Sequence, residues 1–269
     1  MKQPPNLRLV RTLLFLPASN PRAVEKARGL AADVVVLDLE DAVKPADKAS
    51  ARAAAVEAAA HFPMPLAIRI NSDERWWADD AAAVRASAAD VVIVPMTSGP
   101  DEVVEAREAT GKPVLAMVET ARGVLAAPAI AEAAEALIAG TNDLAADLGL
   151  RLGAARPALT TALQSILLAA RAAGKAAFDG VYNKLDDSAG LEAECREGRG
   201  FGFDGKSLIH PNQIDIANRL FGPSPDEVDA ARRLIAAATG GAERYEGEMI
   251  ERMHVDQAHF TLARARSGS

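Results

Sequence analysis

The chain holds one cysteine, Cys195, in 269 residues. That excludes an intramolecular disulfide and makes a reducing compartment the expectation. No CxxC pair or histidine cluster accompanies Cys195, so it reads as an inert thiol. Also missing is any run of about 18 uncharged apolar residues, so no membrane span is expected. Lys2, Arg8 and Arg11 precede the apolar stretch Leu13-Leu14-Phe15-Leu16. It is shorter than the roughly 7–15 residues of a signal core, and Pro17 ends it. The expected location is the cytoplasm. A basic excess is lacking too: 30 Lys and Arg against 37 Asp and Glu leave a charge of −7. This argues against a nucleic-acid partner, while a few local cations could still hold an anionic ligand.

What is present is an ordinary globular composition, with 49% hydrophobic and 25% charged residues and ample length to bury a core. At roughly 150 residues per domain the length gives one or two domains, although α/β barrels run to about 250 as one. Short apolar runs alternate with Ala-rich segments of helical period, the pattern of repeated βα units. Eight strands are predicted: Thr12–Pro17, Asp33–Leu39, Leu66–Asn71, Val91–Met96, Val114–Glu119, Ala136–Gly140, Ala176–Val181 and Ser207–His210. Eight parallel strands with intervening helices close naturally into a TIM (β/α)8 barrel. An open doubly wound sheet is the alternative, because periodicity alone does not show closure.

Helix starts agree with this register. Ser19-Asn20-Pro21 offers a cap followed by proline at the first helical position. Ser224-Pro225-Asp226-Glu227 has the capping-box pattern. Val228–Ala238 reads as the last helix of a catalytic domain spanning 1–239. Residues 240–269 form a separate C-terminal extension, punctuated by Gly240-Gly241 and helix-compatible over Glu248–Arg266. It reads as a lid or subunit-docking arm, or else as a frayed tail. Gly200-Phe-Gly202-Phe-Asp-Gly205 satisfies GxGxxG, but the dinucleotide fingerprint needs a strand before it and a helix after it. Here a helical stretch precedes the glycines and a strand follows.

In a barrel the C-terminal strand ends face the active site. Strand two ends in Asp38-Leu39-Glu40-Asp41, strand three carries Arg69 and Asn71, strand five ends at Glu119, and strand six runs into Gly140-Thr141-Asn142-Asp143. Arg69, between Ile68 and Ile70, needs a partner or a ligand if buried. The plainer reading of the acidic residues is helix capping, which suffices for Asp41 or Asp147. Asp38 or Glu40 could simply neutralise Arg69. Carboxylates at neighbouring strand ends, with no His or Cys there, suit a hard oxygen-preferring cation such as Mg²⁺, which keeps positions open for substrate oxygens. A Lewis acid beside a guanidinium is what enolate chemistry needs.

The chain resembles the citrate lyase β-subunit-like branch of the HpcH/HpaI aldolase/citrate lyase superfamily. The segments that carry this are Arg11-Thr-Leu-Leu-Phe-Leu-Pro17, Val36-Leu-Asp-Leu-Glu-Asp-Ala-Val43 with Lys48 and Arg52, and Ile68-Arg-Ile-Asn71. They continue with Val118-Glu-Thr120 and Gly123, Gly140-Thr-Asn-Asp-Leu-Ala-Ala-Asp-Leu-Gly149, and Gly205-Lys206…Ile209-His-Pro-Asn-Gln-Ile214. The resemblance implies a TIM barrel with Mg²⁺ on Glu119 and Asp143, Mn²⁺ being the alternative metal. It also implies that Arg69 binds a substrate carbonyl or carboxylate. Relatives cleave or form a C–C bond between an acyl-thioester enolate and a 2-oxo acid or aldehyde, and they assemble as trimers or hexamers.

Pyruvate aldolases of the superfamily carry Glu-His after strand two. Glu40-Asp41 here favours the thioester-lyase branch, on CoA or an acyl carrier, with a class II pyruvate-type aldolase as the alternative. A non-catalytic subunit of a citrate lyase-like complex is the remaining one. Relatives carry Gly-x-Met-Ile-Asp near the C-terminus, whose Asp serves a neighbouring subunit. Here the segment is Gly247-Glu-Met-Ile-Glu251. Glu251 is therefore the expected acid/base and Glu40 a second catalytic carboxylate. Gly140, Thr141, Asn142 and Asp38 are expected to contact substrate. Lys206, Lys44 and Lys184 are offered as contacts to the thioester carrier, with Lys206 and His210 equally readable as structural.

Overall fold

Every one of the eight apolar runs forms a strand in the computed structural model, which describes residues 5–151 and 156–267. Lys2, weighed above as part of a leader, lies outside these. The chain runs β1 (Thr12–Pro17), α1 (Pro21–Ala27), β2 (Val34–Asp38), α2 (Lys48–Ala59), β3 (Leu66–Arg69), α3 (Glu74–Ala86), β4 (Val91–Val94) and α4 (Pro100–Thr110). It continues through β5 (Val114–Val118), α5 (Ala121–Ala133), β6 (Ala136–Ala139), α6 (Thr141–Asp147), α7 (Thr160–Ala172) and β7 (Ala176–Asp179). The last barrel elements are α8 (Ser188–Phe201), β8 (Gly205–Leu208), α9 (Ile214–Phe221) and α10 (Pro225–Ala237).

Neighbouring strands all pair in parallel, and β1 pairs with both β2 and β8, so the sheet closes. An open sheet is excluded. The alternation of strand side chains splits the apolar residues into two layers. Leu13, Val34, Val36, Ala67, Ile93, Leu115, Met117, Ile138 and Phe178 fill the barrel interior. Leu14, Val35, Leu37, Ile68, Val92, Ala116, Val118, Leu137 and Leu208 pack outward against the helices.

Boundaries shift where local chemistry overrides hydrophobicity. β8 begins at Gly205, two residues before the expected Ser207, because the β1 backbone passes close beside it. A Cβ on Gly205 would lie 2.5 Å from Arg11 O, and Lys206 N donates to that same oxygen at 2.9 Å. β8 also stops at Leu208. His210 leaves the sheet to cap the following 3₁₀ turn, its Nδ1 accepting from Asn212 N, with Gln213 completing a capping box. α10 starts at Pro225 rather than Val228, since Ser224 and Glu227 form the reciprocal cap that the sequence spells out. The GxGxxG stretch ends α8, takes a left-handed turn at Gly202 and enters β8, the reverse of a dinucleotide loop.

The extension is folded. A hairpin of β9 (Glu243–Tyr245) and β10 (Glu248–Ile250) leads into α11 (Arg252–Ser267), so Glu248–Ile250 is strand rather than helix. α11 packs along α10 and the 3₁₀ turn Leu7–Leu9. Arg264 clasps it there, donating to Arg8 O at 2.7 Å, Asp204 O at 2.6 Å and Phe221 O at 2.9 Å. Arg8 precedes β1 and Asp204 precedes β8, so this anchor sits at the N-terminal end of the barrel. No helix among the described residues is long and apolar enough to cross a membrane.

Candidate active site

Strand alternation decides which polar residues enter the barrel mouth. Val34 and Val36 face inward on β2, Ala67 on β3, Leu115 and Met117 on β5, and Ala136 and Ile138 on β6. The same parity carries Asp38, Arg69, Glu119 and Gly140 inward at the next step. They border a cavity of about 370 Å³ at the C-terminal strand ends, together with Phe15, Thr141, Asn142, Asp143 and Ser207. Asp38, Arg69, Glu119, Gly140, Thr141, Asn142 and Asp143 are thus brought to one place. Glu40 joins the rim through Arg69. Glu251 does not line this cavity.

Arg69, 8% exposed, is fixed from three sides. Its Nε and Nη2 donate to the two carboxylate oxygens of Asp38, each at 2.7 Å. Nη1 lies 2.9 Å from Glu40 Oε2 and 3.8 Å from Asp41 Oδ2, and Phe15 stacks on the guanidinium at 5.5 Å. Burial opposes the charge, but the hydrogen bonds and charge of Asp38, reinforced by Glu40 and Asp41, raise the Arg69 pKa above the ordinary value. The Asp38 oxygens also accept from Glu40 N and Ala42 N. Its capacity is spent on Arg69 and its own loop, so Asp38 orients the arginine rather than offering itself to a substrate.

The Glu40 loop is held from behind. Buried Lys48 donates to Leu39 O, Glu40 O and Asn71 Oδ1 at 2.6–2.7 Å. Asn71 in turn donates to Asp80, so the strand-three asparagine serves this clamp. Burial pushes Glu40 up to about 7 against the pull of Arg69.

Glu119 is held by backbone. Met96, just past β4, adopts a left-handed φ of 52°, which a side chain tolerates at a cost of about 1–2 kcal/mol. In that conformation its N–H donates to Glu119 Oε1 at 2.6 Å. Gly140 leaves room on the other side, because any Cβ there would overlap Glu119 Oε2 and Cβ. Burial raises the Glu119 carboxyl to about 8, with Glu40 and Asp143 adding to the rise against the Met96 hydrogen bond. Two elevated carboxylates, Asp143 and a single guanidinium already bound to Asp38 make a cavity short of positive charge. The carboxylate donors are all oxygens, and among the described residues no His or Cys lines the cavity. Such a set fits a hard divalent cation, and Glu119 with Asp143 are the residues that would hold it.

Gly140 serves this geometry through its missing side chain, since its N–H is spent on Val118 O. Thr141, Asn142 and Asp143 open α6, where first-turn N–H groups lack intrahelical partners. Asn142 exchanges amide hydrogen bonds with Asn183 at 2.7 and 3.3 Å. Asp147 accepts from Ala121 N at 2.6 Å and so caps α5, whereas Asp41 turns toward Arg69. Lys206 is a correction. Fully buried, it pairs with Asp179 at 3.2 Å and Glu194 at 2.6 Å, inside a charge network shared with Arg156, and reaches no carrier. Lys44 and Lys184 are exposed.

Sequence reasoning missed Met96, Asn183, Phe15 and Ser207. Met96 and Asn183 act through a backbone angle and a loop pairing that leave no mark in residue type. Phe15 and Ser207 were findable from strand parity, since Leu13 and Phe15 alternate on β1 and Ser207 alternates with outward Leu208.

The HpcH/HpaI aldolase/citrate lyase family model matches residues 11–211. A (3S)-malyl-CoA thioesterase of Cereibacter sphaeroides is 43% identical over 271 residues, covering 96% of this chain and 95% of its own. The citrate lyase subunit beta of Escherichia coli is 34% identical, covering 95% and 93%. A crystal structure of the CitE protein of Mycobacterium tuberculosis, in complex with magnesium, acetoacetate and coenzyme A, superposes with a TM-score of 0.82. It is 35% identical and covers 97% of this chain and 100% of its own.

Proposed function

Since the chain belongs to the HpcH/HpaI aldolase/citrate lyase family, we propose that it is a Mg²⁺-dependent carbon–carbon lyase. Its substrate would be a 3-hydroxy-acyl thioester of the citramalyl-, malyl- or citryl-CoA type. The products would be an acyl thioester and a 2-oxo acid or aldehyde. The observation that carries this reading is the pairing, in one cavity, of a locked guanidinium with a metal-type carboxylate set: Arg69 beside Glu119 and Asp143. The CitE complex with magnesium, acetoacetate and coenzyme A supports it, at 35% identity over nearly the whole chain.

Glu119 and Asp143 would hold Mg²⁺, which supplies a Lewis acid for the hydroxyl and carboxylate oxygens of the acid half. A carboxylate removes the proton of the 3-hydroxyl, and that oxygen becomes the carbonyl of the departing 2-oxo acid or aldehyde. As the C–C bond breaks, its electron pair passes into the thioester enolate, and the proton returns to the enolate carbon. Arg69 faces the enolate oxygen, and because Asp38 and Glu40 fix its plane beforehand, it reorganises little as charge develops. Glu251 does not line its own cavity, so in the acid/base role it would come from a neighbouring copy in a trimer or hexamer. Glu40, elevated to about 7 by burial, is the carboxylate within the same chain suited to proton transfer.

One observation favours a second reading: the 43% identical relative is a thioesterase. Product analysis separates the two, since hydrolysis of malyl-CoA yields malate and free CoA, whereas cleavage yields glyoxylate and acetyl-CoA. The test is a screen of citramalyl-, malyl-, methylmalyl- and citryl-CoA with Mg²⁺, then Mn²⁺, products identified by mass. Mg²⁺-dependent release of a 2-oxo acid or aldehyde is expected. Turnover only with an acyl-carrier protein indicates a citrate lyase-type subunit, pyruvate enolisation without a thioester the aldolase branch, and no turnover at all a non-catalytic subunit.

A further inference from the structure

Ser207 stands on β8 with its side chain toward the barrel interior, opposite in parity to outward Leu208. It is 1% exposed, lines the cavity, and its Oγ has no hydrogen-bond partner among the described residues. A buried hydroxyl is ordinarily paired, and an unpaired one at a cavity wall awaits a ligand. In a closed barrel of eight strands, β8 stands across from β4, so Ser207 faces the wall that carries Arg69 on β3 and Glu119 on β5. The cavity residues on its own side are Phe15, Leu16, Pro17, Val181 and Ile209, all apolar. Among the described residues Ser207 is therefore the polar side chain of that wall, and a neutral one.

We propose that Ser207 recognises the far end of the substrate's acid half, and that this end bears a carboxylate rather than a methyl group. The inference rests on the lyase reading, which anchors the near end of that half at the cation that Glu119 and Asp143 would hold. A methyl group there leaves the hydroxyl unpaired in the complex, and a site with a buried polar group rejects the ligand that cannot satisfy it.

The test measures Mg²⁺-dependent binding of two 2-oxo acids of equal length, freshly prepared oxaloacetate and 2-oxobutyrate, which differ at the last carbon. Wild type should prefer oxaloacetate by about 10-fold or more in Kd. Ser207→Ala should reduce that ratio to about two or less with Mg²⁺ affinity unchanged, and Ser207→Thr should keep it. Removing an unpartnered hydroxyl should also leave the Tm of the ligand-free protein at or above wild type. An equal ratio in wild type and Ser207→Ala, or a wild type without preference, overturns the role of Ser207 while the lyase reading stands. A marked drop in Tm on Ser207→Ala overturns it too, by exposing a structural partner. No Mg²⁺-dependent binding of either acid by wild type brings down the lyase reading and this inference together.

Discussion

Glu119 combines two opposed influences in one side chain. Burial and the neighbouring charges of Glu40 and Asp143 lift its carboxyl to about 8, while the Met96 N–H favours the ionised form. A bound cation would let all these carboxylates ionise together. Glu119→Gln and Asp143→Asn should each lower Mg²⁺-dependent turnover at least about 100-fold with an unchanged circular dichroism spectrum; full activity in both variants would remove the metal assignment. The raised values also set a pH dependence. Above the ordinary 4.5 the unfolded chain loses protons that folded Glu119 and Glu40 retain. Stability of the metal-free protein should therefore fall as pH rises from about 4.5 through 8. Mg²⁺ affinity should rise across the same window with release of protons. Titration calorimetry in buffers of different ionisation enthalpy measures both, and pH-independent binding would contradict the elevated carboxyls.

The elements of this fold matter through their ends. β2, β3 and β5 are apolar for most of their length and reach Asp38, Arg69 and Glu119 at the last inward step, where β6 leads instead to Gly140, which is how a core is joined to a site without a break in the sheet. Their identity was legible because inward and outward faces are both buried, leaving continuous apolar runs bounded by turns. The stops were less legible. Met96 and His210 were read as strand, yet one turns into left-handed backbone and the other into a cap, each driven by a hydrogen bond rather than by hydrophobicity. Met96 yields a prediction at this scale. Its backbone N–H is what holds Glu119, so Met96→Gly should keep activity within about two-fold and raise stability by up to about 1 kcal/mol. Steady-state kinetics with thermal melts decide it. A large loss of activity would mean that the side chain, 40% exposed, has a role of its own.

For the whole molecule, the C-terminal extension is the open element. Arg264 anchors α11 to the N-terminal end of the barrel, and the segment carrying Glu251 does not return to its own cavity. If Glu251 serves a neighbouring copy, Glu251→Gln should lower kcat strongly with a modest change in KM. Mixing it with Glu119→Gln under conditions of subunit exchange should then restore part of the activity, because some assembled sites combine an intact Glu119 with an intact Glu251. No recovery in mixtures shown to exchange subunits would confine Glu251 to a structural role.

By itself the sequence determined the eight strands, the placing of Asp38, Arg69 and Glu119 at their C-terminal ends, and the oxygen-rich chemistry there. Those properties follow from periodicity and residue type, which are local. Tertiary structure decided that the sheet closes, that Asp38 is consumed in orienting Arg69, and that Lys206 is buried among carboxylates. It decided too that Met96 holds Glu119 while Gly140 leaves room for it, and that Ser207 faces the cavity with no hydrogen-bond partner among the described residues. Those facts depend on which strands become neighbours and on what each side chain has left to offer once its neighbours are served. Contacts between residues distant in the chain set both, and local pattern does not encode them.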